Sequence, residues 1–168
     1  MTTTNKKAVF FDRDGTLNVD IAYLHRLEDF VWIEGAKEAI KYVNDKGYLA
    51  ILVTNQSGVA RGFYPEEDIQ AVYDWMNAEL AKIGAHLDAL FYCPHHPQGK
   101  ILQYTKACNC RKPATGMVDE ACCHFHINRV KSFLVGDSDN DMECARRAGL
   151  TGIYYDGGNL LTRIKEYL

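Results

Sequence analysis

The 168-residue sequence predicts an α/β domain, a parallel sheet with helices on both faces. Three observations carry that expectation. Apolar runs of strand length alternate with segments of helical period. Several of the runs are continuous rather than alternating, as in strands buried on both sides. Glycines stand where helices of this arrangement would end.

Taken in order, residues 8–11 form the first strand and residues 36–45 a helix closed by Gly47. Residues 49–54 form the second strand, followed by a helix over 66–83 that opens at Pro65 and closes at Gly84. A third strand covers 87–92 and a helix 115–126. The fourth strand, 132–136, leads into a helix over 140–148 closed by Gly149, and a fifth strand covers 152–155. The connections are expected to be right-handed. Two stretches break the alternation. Residues 18–34 are long for a strand–helix connection and suit a flap, and 94–113 form a long loop of the kind usually explained by function.

With 47% hydrophobic and 24% charged residues the chain is expected to fold, as one domain over 1–168 with room for a real core. A net charge of −3 argues against nucleic acid or an anionic membrane as partner. The leader, residues 1–7, is polar, and the apolar run behind it is too short for a signal-peptide core. No apolar stretch is long enough to span a bilayer, so the expected location is the cytoplasm.

In an open parallel sheet, ligands bind beyond the carboxyl ends of the strands. The first strand runs into Asp12-Arg13-Asp14-Gly15-Thr16, a carboxylate pair able to supply a nucleophile and an acid–base while holding a hard cation. The two point the same way if the strand persists and splay if a turn intervenes; Asp-Gly is itself a turn dipeptide. The second strand ends in Thr54-Asn55-Gln56-Ser57, whose hydroxyls and amides can donate to phosphate oxygens. The long loop delivers Arg111 and Lys112 to the same edge. The fourth strand runs into Asp137, early enough to join the first pair around a cation, and the acidic cluster behind it reads as a helix N-cap.

Each signal alone has a plain reading as turn, polar loop or cap. Together, over residues 10–141, their order and spacing resemble the four motifs of the haloacid dehalogenase (HAD) superfamily. That resemblance implies a Rossmann-like three-layer fold of the HAD type, without a large cap at this length. It implies Asp12 as the nucleophile that takes the phosphoryl group and Asp14 as the acid–base. Thr54 and Lys112 would bind the phosphoryl oxygens, and Asp12, Asp14 and Asp137 would hold Mg²⁺, with Asp141 in support.

The six cysteines fall into two groups. Cys93, Cys108 and Cys110 gather on the long loop with His95, and in a reducing compartment they read as ligands of one closed, structural Zn²⁺ site. His96 is the rival of His95, which matches the family's Cys-x-His element. Cys122, Cys123 and Cys144 are expected to be core filler.

With its zinc loop the chain resembles the D-glycero-D-manno-heptose 1,7-bisphosphate 7-phosphatases through 12–20 (DRDGTLNVD), 53–62 (VTNQSGVARG), 93–99 (CPHHPQG) and 110–113 (CRKP). The resemblance implies a small phosphorylated sugar as substrate, a flap that contacts it through Asp20 and Tyr23, and Asn55, Gln56 and Ser57 along the pocket. Arg111 would grip the distal phosphate. The chain departs from the family's Asp-His-Gly-Tyr flap with Ile21-Ala22, and carries Ser138 where the family often has Lys. A histidinol-phosphate phosphatase with the same loop and an inactive metal-stabilised binding module are the alternatives. Intact Asp12, Asp14, Lys112 and Asp137 argue against the second.

Overall fold

The computed structural model describes residues 6–168, so most of the polar leader lies outside the described residues. Five parallel strands, β1 (Ala8–Phe11), β2 (Leu49–Asn55), β3 (Ala89–Cys93), β4 (Phe133–Gly136) and β5 (Thr151–Tyr154), form one sheet in the order β3-β2-β1-β4-β5. The helices are α1 (Ala36–Asp45), α2 (Glu66–Ala81), α3 (Gly116–Phe125), α4 (Asp139–Ala148) and α5 (Leu160–Lys165).

The period of two along a strand divides the core between the faces. Val9, Phe11, Ala50 and Leu52 pack with α1, α2 and α5, whereas Ala8, Phe10, Ile51 and Val53 pack with α3 and α4. Because both faces are covered, β1 is buried throughout, which explains its unbroken apolar run. After β3 the chain returns to the other side of β1, so the topological switch lies between β1 and β4. The register sets Phe11 beside Val135 there, and the residues that follow, Asp12 and Asp137, emerge at that crevice.

The sequence-based boundaries need small corrections, each with a local cause. β3 starts at Ala89 rather than 87 because the Leu87 backbone is held by the Asn77 side chain and the Tyr73 hydroxyl of α2. The helix expected to reach 83 stops at Ala81, where a turn through Gly84 returns the Ala85 N–H to the Leu80 carbonyl. The cap of α4 is Ser138, whose Oγ accepts from the Asp141 N–H. Helix α5 was not anticipated: six residues give too little period to register. Cys122 and Cys144 are buried as expected, but Cys123, one position round the helix from Cys122, is exposed and fills no core.

Candidate active site

At the switch point the carboxylates of Asp12, Asp137 and Asp141 bring oxygens within 4.8 Å of one another. β1 delivers Asp12, β4 delivers Asp137, and the first turn of α4 delivers Asp141. Lys112 arrives from the loop before α3 and is almost fully buried; its Nζ donates to Asp12 Oδ1 at 2.8 Å and to the Val53 carbonyl at 2.9 Å. The same Nζ lies 2.7 Å from Asp141 Oδ1.

Burial pushes the Asp12 carboxyl up to about 7; the Lys112 ammonium opposes that rise, and the Asp141 and Asp137 carboxylates add to it. Burial alone would lower Lys112, yet Asp12 and Asp141 push it above its ordinary value. Asp137 is raised, chiefly by burial. Three carboxylates answered by one ammonium leave an excess of negative charge that a hard divalent cation fits, and oxygen donors are what such a cation takes. The turn is shaped for close approach. Gly15, at φ 88°, has no Cβ, and one built there would lie 2.0 Å from Asp137 Oδ2.

Asp14 does not join this trio. The turn at Gly15 splays the pair, and the Asp14 carboxylate instead accepts from Arg13 (Nη2 to Oδ1, 3.0 Å), Asn18 (Nδ2 to Oδ1, 3.0 Å) and Gln56 (Nε2 to Oδ2, 3.1 Å). The third carboxylate of the side-chain cluster is Asp141. Asp14 does line the same cavity, which measures about 420 Å³ and also takes in Asp20, Tyr23, Asn55, Gln56, Ser57, Tyr64 and Arg111.

Thr54 is buried beneath that cavity, its Oγ1 accepting from Gln56 Nε2 at 2.9 Å. Asn55 clamps the backbone of Lys112 in both directions, Lys112 N–H to Oδ1 (2.9 Å) and Nδ2 to the Lys112 carbonyl (3.2 Å). Ser138, in the segment read as a helix N-cap, does more than replace a lysine. Its hydroxyl donates to Asp141 Oδ2 at 2.8 Å and so orients a member of the trio; an Ser-x-x-Asp capping pattern was the available signal. Arg111 reaches the cavity wall with a buried Nη1 that has no hydrogen-bond partner among the described residues, a donor set for an anion. In the flap, Asp20 Oδ1 accepts from the Ala22 N–H at 2.9 Å, and Ala22 and Tyr23 are both left-handed, at φ 59° and 60°.

The cysteine loop closes as the sequence implied. Cys93, Cys108 and Cys110 and His95 each offer an atom within 4.8 Å of the others. The Cys93–Cys108 and Cys108–Cys110 sulfurs are 3.4 Å apart, and His95 Nδ1 lies 3.4 Å from Cys110 Sγ and 3.7 Å from Cys93 Sγ. Those edges approach the roughly 3.7 Å of a tetrahedron with metal–sulfur bonds of ~2.3 Å, whereas the Cys93 and Cys110 sulfurs, 2.7 Å apart, are closer than that. His96 is turned elsewhere, its Nε2 3.2 Å from Arg61 Nη2 and its Nδ1 accepting from the Gln98 N–H. The soft donor set suits a metal. The loop is also tied to its surroundings: Tyr92 and Tyr104 hydroxyls both donate to Glu66, and Lys100 and Ile101 N–H groups donate to the Ala60 carbonyl.

Comparison with known proteins places this geometry in context. A family profile described as HAD-hydrolase-like matches residues 109–165. A D-glycero-beta-D-manno-heptose-1,7-bisphosphate 7-phosphatase of Haemophilus ducreyi is 47% identical over 146 residues, 86% of this chain and 80% of the relative. A protein of the same name from Escherichia coli K12 is 41% identical over 143 residues, 85% of this chain and 75% of the relative. Among solved structures, D,D-heptose 1,7-bisphosphate phosphatase from B. bronchiseptica, complexed with magnesium and phosphate, superposes with a TM-score of 0.81. It is 31% identical, and the match covers 95% of this chain and 86% of that one.

Proposed function

Because this chain belongs to the HAD-like phosphatases, in the group of the heptose 1,7-bisphosphate 7-phosphatases, we propose that it removes the C7 phosphate of D-glycero-D-manno-heptose 1,7-bisphosphate. The observation that carries the chemistry is the buried Asp12–Lys112 pair, 2.8 Å apart, among the carboxylates of the switch point. A phosphatase nucleophile is an anion that must meet another anion, and this pair holds the nucleophile beside the cation that offsets the repulsion.

Asp12 attacks phosphorus, forming an acyl-phosphate as the phosphorus–oxygen bond to the sugar breaks, and Asp14 gives its proton to the departing alkoxide. Asp14 then takes a proton from water as that water attacks the acyl-phosphate, which releases phosphate and restores Asp12. Lys112 holds the equatorial oxygens throughout. Asp12, Asp14 and Asp137, with Asp141 behind them, are the groups that would hold Mg²⁺, which would supply charge neutralisation and phosphate orientation. The substrate reaches the site under the Asp20–Tyr23 flap, and the enzyme works in the cytoplasm, where its thiols stay reduced.

Cys93, His95, Cys108 and Cys110 hold Zn²⁺ in a closed, non-catalytic site. Purified protein should contain about one equivalent of zinc by metal analysis, distinct from exchangeable magnesium. Structural zinc contributes an apparent ~10–16 kcal/mol in small peptides, so its removal should disorder the loop and, through Arg111 and Lys112, lower activity. Zinc-replete expression yielding zinc-free, fully active protein would exclude the site.

Arg111 grips the distal phosphate at C1, so Arg111→Ala should shrink the preference for the bisphosphate by about tenfold, or ~1.4 kcal/mol. A small phosphate ester should be slowed much less. The deciding assay compares both anomers of the bisphosphate with histidinol phosphate at equal concentration. Turnover of histidinol phosphate faster by about tenfold would replace the sugar assignment with the runner-up.

A further inference from the structure

Gln56 belongs to the strand-end segment that the family resemblance assigns to the substrate pocket and it lines the cavity, yet its amide N–H groups are both spent within the protein. The side chain is 2% exposed. Its Nε2 donates to Asp14 Oδ2 (3.1 Å) and to Thr54 Oγ1 (2.9 Å). Its Oε1 accepts from the Tyr64 hydroxyl (2.5 Å) and from Arg13 Nη2 (3.5 Å). A carboxamide has two N–H donors and two acceptor positions; both donors and one acceptor position are engaged at ordinary distance, and the other faces an Arg13 Nη2 that already donates to Asp14 and the Leu24 carbonyl.

The other donors to Asp14 are local. Arg13 and Asn18 lie in the same turn as Asp14 and move with it, whereas Gln56 is fixed to the end of β2, the strand hydrogen-bonded beside β1. Among the described residues the Gln56 N–H is thus the one hydrogen bond on this carboxylate from outside its own turn, and it falls on Oδ2. Tyr64, itself buried, locks the far side of the amide and so keeps the N–H aimed. We propose that Gln56 is a positioning residue for Asp14. It holds the carboxyl so that its proton faces the sugar oxygen leaving phosphorus, and it does not contact the sugar.

The inference rests on the assignment of Asp14 as the acid, and leaving-group dependence tests both. As the Asp12 oxygen–phosphorus bond forms and the phosphorus–alkoxide bond breaks, an alkoxide needs the Asp14 proton; nitrophenolate leaves without it. The ratio kcat/KM reports only steps through this first transfer, so it isolates the acid role. With magnesium present, Gln56→Met should lower kcat/KM for a simple alkyl phosphate about tenfold or more, since general acid catalysis is worth ~10²–10⁴-fold in full. The value for p-nitrophenyl phosphate should change little. Tyr64→Phe, which frees the amide without touching Asp14, should give the same selectivity at smaller size and serves if Gln56→Met fails to fold.

Equal losses on both simple esters would mean a merely structural role and overturn the proposal. A loss confined to the sugar bisphosphate would mean substrate contact and overturn it too. Asp14→Asn, measured alongside, should show the alkyl-selective loss in full. An unselective Asp14→Asn would remove the acid assignment and the inference with it. A selective Asp14→Asn beside an unselective Gln56→Met would overturn the role of Gln56 alone.

Discussion

Asp12→Asn protein is expected to fold normally and turn over no substrate. The amide is isosteric and keeps an oxygen near Lys112 Nζ, now 2.8 Å from Asp12 Oδ1, but it cannot form an acyl-phosphate. Burial holds the native carboxyl up near 7 in metal-free protein, so replacing it with a neutral group relieves a desolvation cost, and the variant should be no less stable. Two readouts are needed: the melting temperature, and product release over hours to expose slow deamidation back to Asp. Substantial turnover by verified, undeamidated Asn protein would refute the covalent mechanism. Loss of both fold and activity would not fit either, since the geometry predicts that they separate.

Lys112→Met should be damaging in both respects. Methionine fills the channel taken by the lysine stem but leaves Asp12 and Asp141 facing each other without the ammonium that lies 2.8 Å and 2.7 Å from them. Removing one partner of a buried ion pair typically costs ~3–5 kcal/mol, and here two carboxylates lose the same partner. Loss of one preorganised charge at the transferring phosphoryl group should lower kcat by at least ~10²–10³-fold. Saturating magnesium should recover part of the stability, because a divalent cation compensates the same carboxylates, and little of the rate. Denaturant midpoints with and without magnesium check the first part. A Lys112→Met midpoint equal to wild type in metal-free buffer would show that the carboxylates are not strained by each other's charge.

The positions of Asp12, Lys112 and Asp137 were legible because each depends only on where a strand or loop ends, and continuous apolar runs mark those ends. The clustering of the cysteine-loop set was legible for a different reason: three thiols and an imidazole around one loop suit a common metal. Orientation was not legible. Asp12 and Asp14 could have pointed together or apart, and the outcome was decided by the left-handed turn at Gly15, a dihedral that residue types leave open. Gln56 and Asn55 line the pocket as their place at a strand end suggests, but the engagement of their amides by Asp14, Thr54, Tyr64 and the Lys112 backbone was not legible. Those partners are distant in sequence, so no local pattern announces them. Ser138 shows the reverse case, a capping residue recognisable by spacing whose hydroxyl also orients Asp141.

The pairing of β1 with β4 has a kinetic corollary. The Ala8 N–H donates to Ser132 Oγ across 124 positions of sequence, and the Asp12–Asp137 crevice forms at the far end of the same two strands. Contacts of such separation carry a large loop-closure entropy, and parallel pairings of this kind form late on topological grounds. The chain can therefore assemble β1, β2 and β3 with their helices while the acidic residues of the β4–α4 segment are still far from Asp12. Mutual repulsion among the three carboxylates is felt only once β4 pairs with β1. An aborted folding intermediate would lack two of the three clustered carboxylates, and so would be a phosphatase in neither structure nor activity.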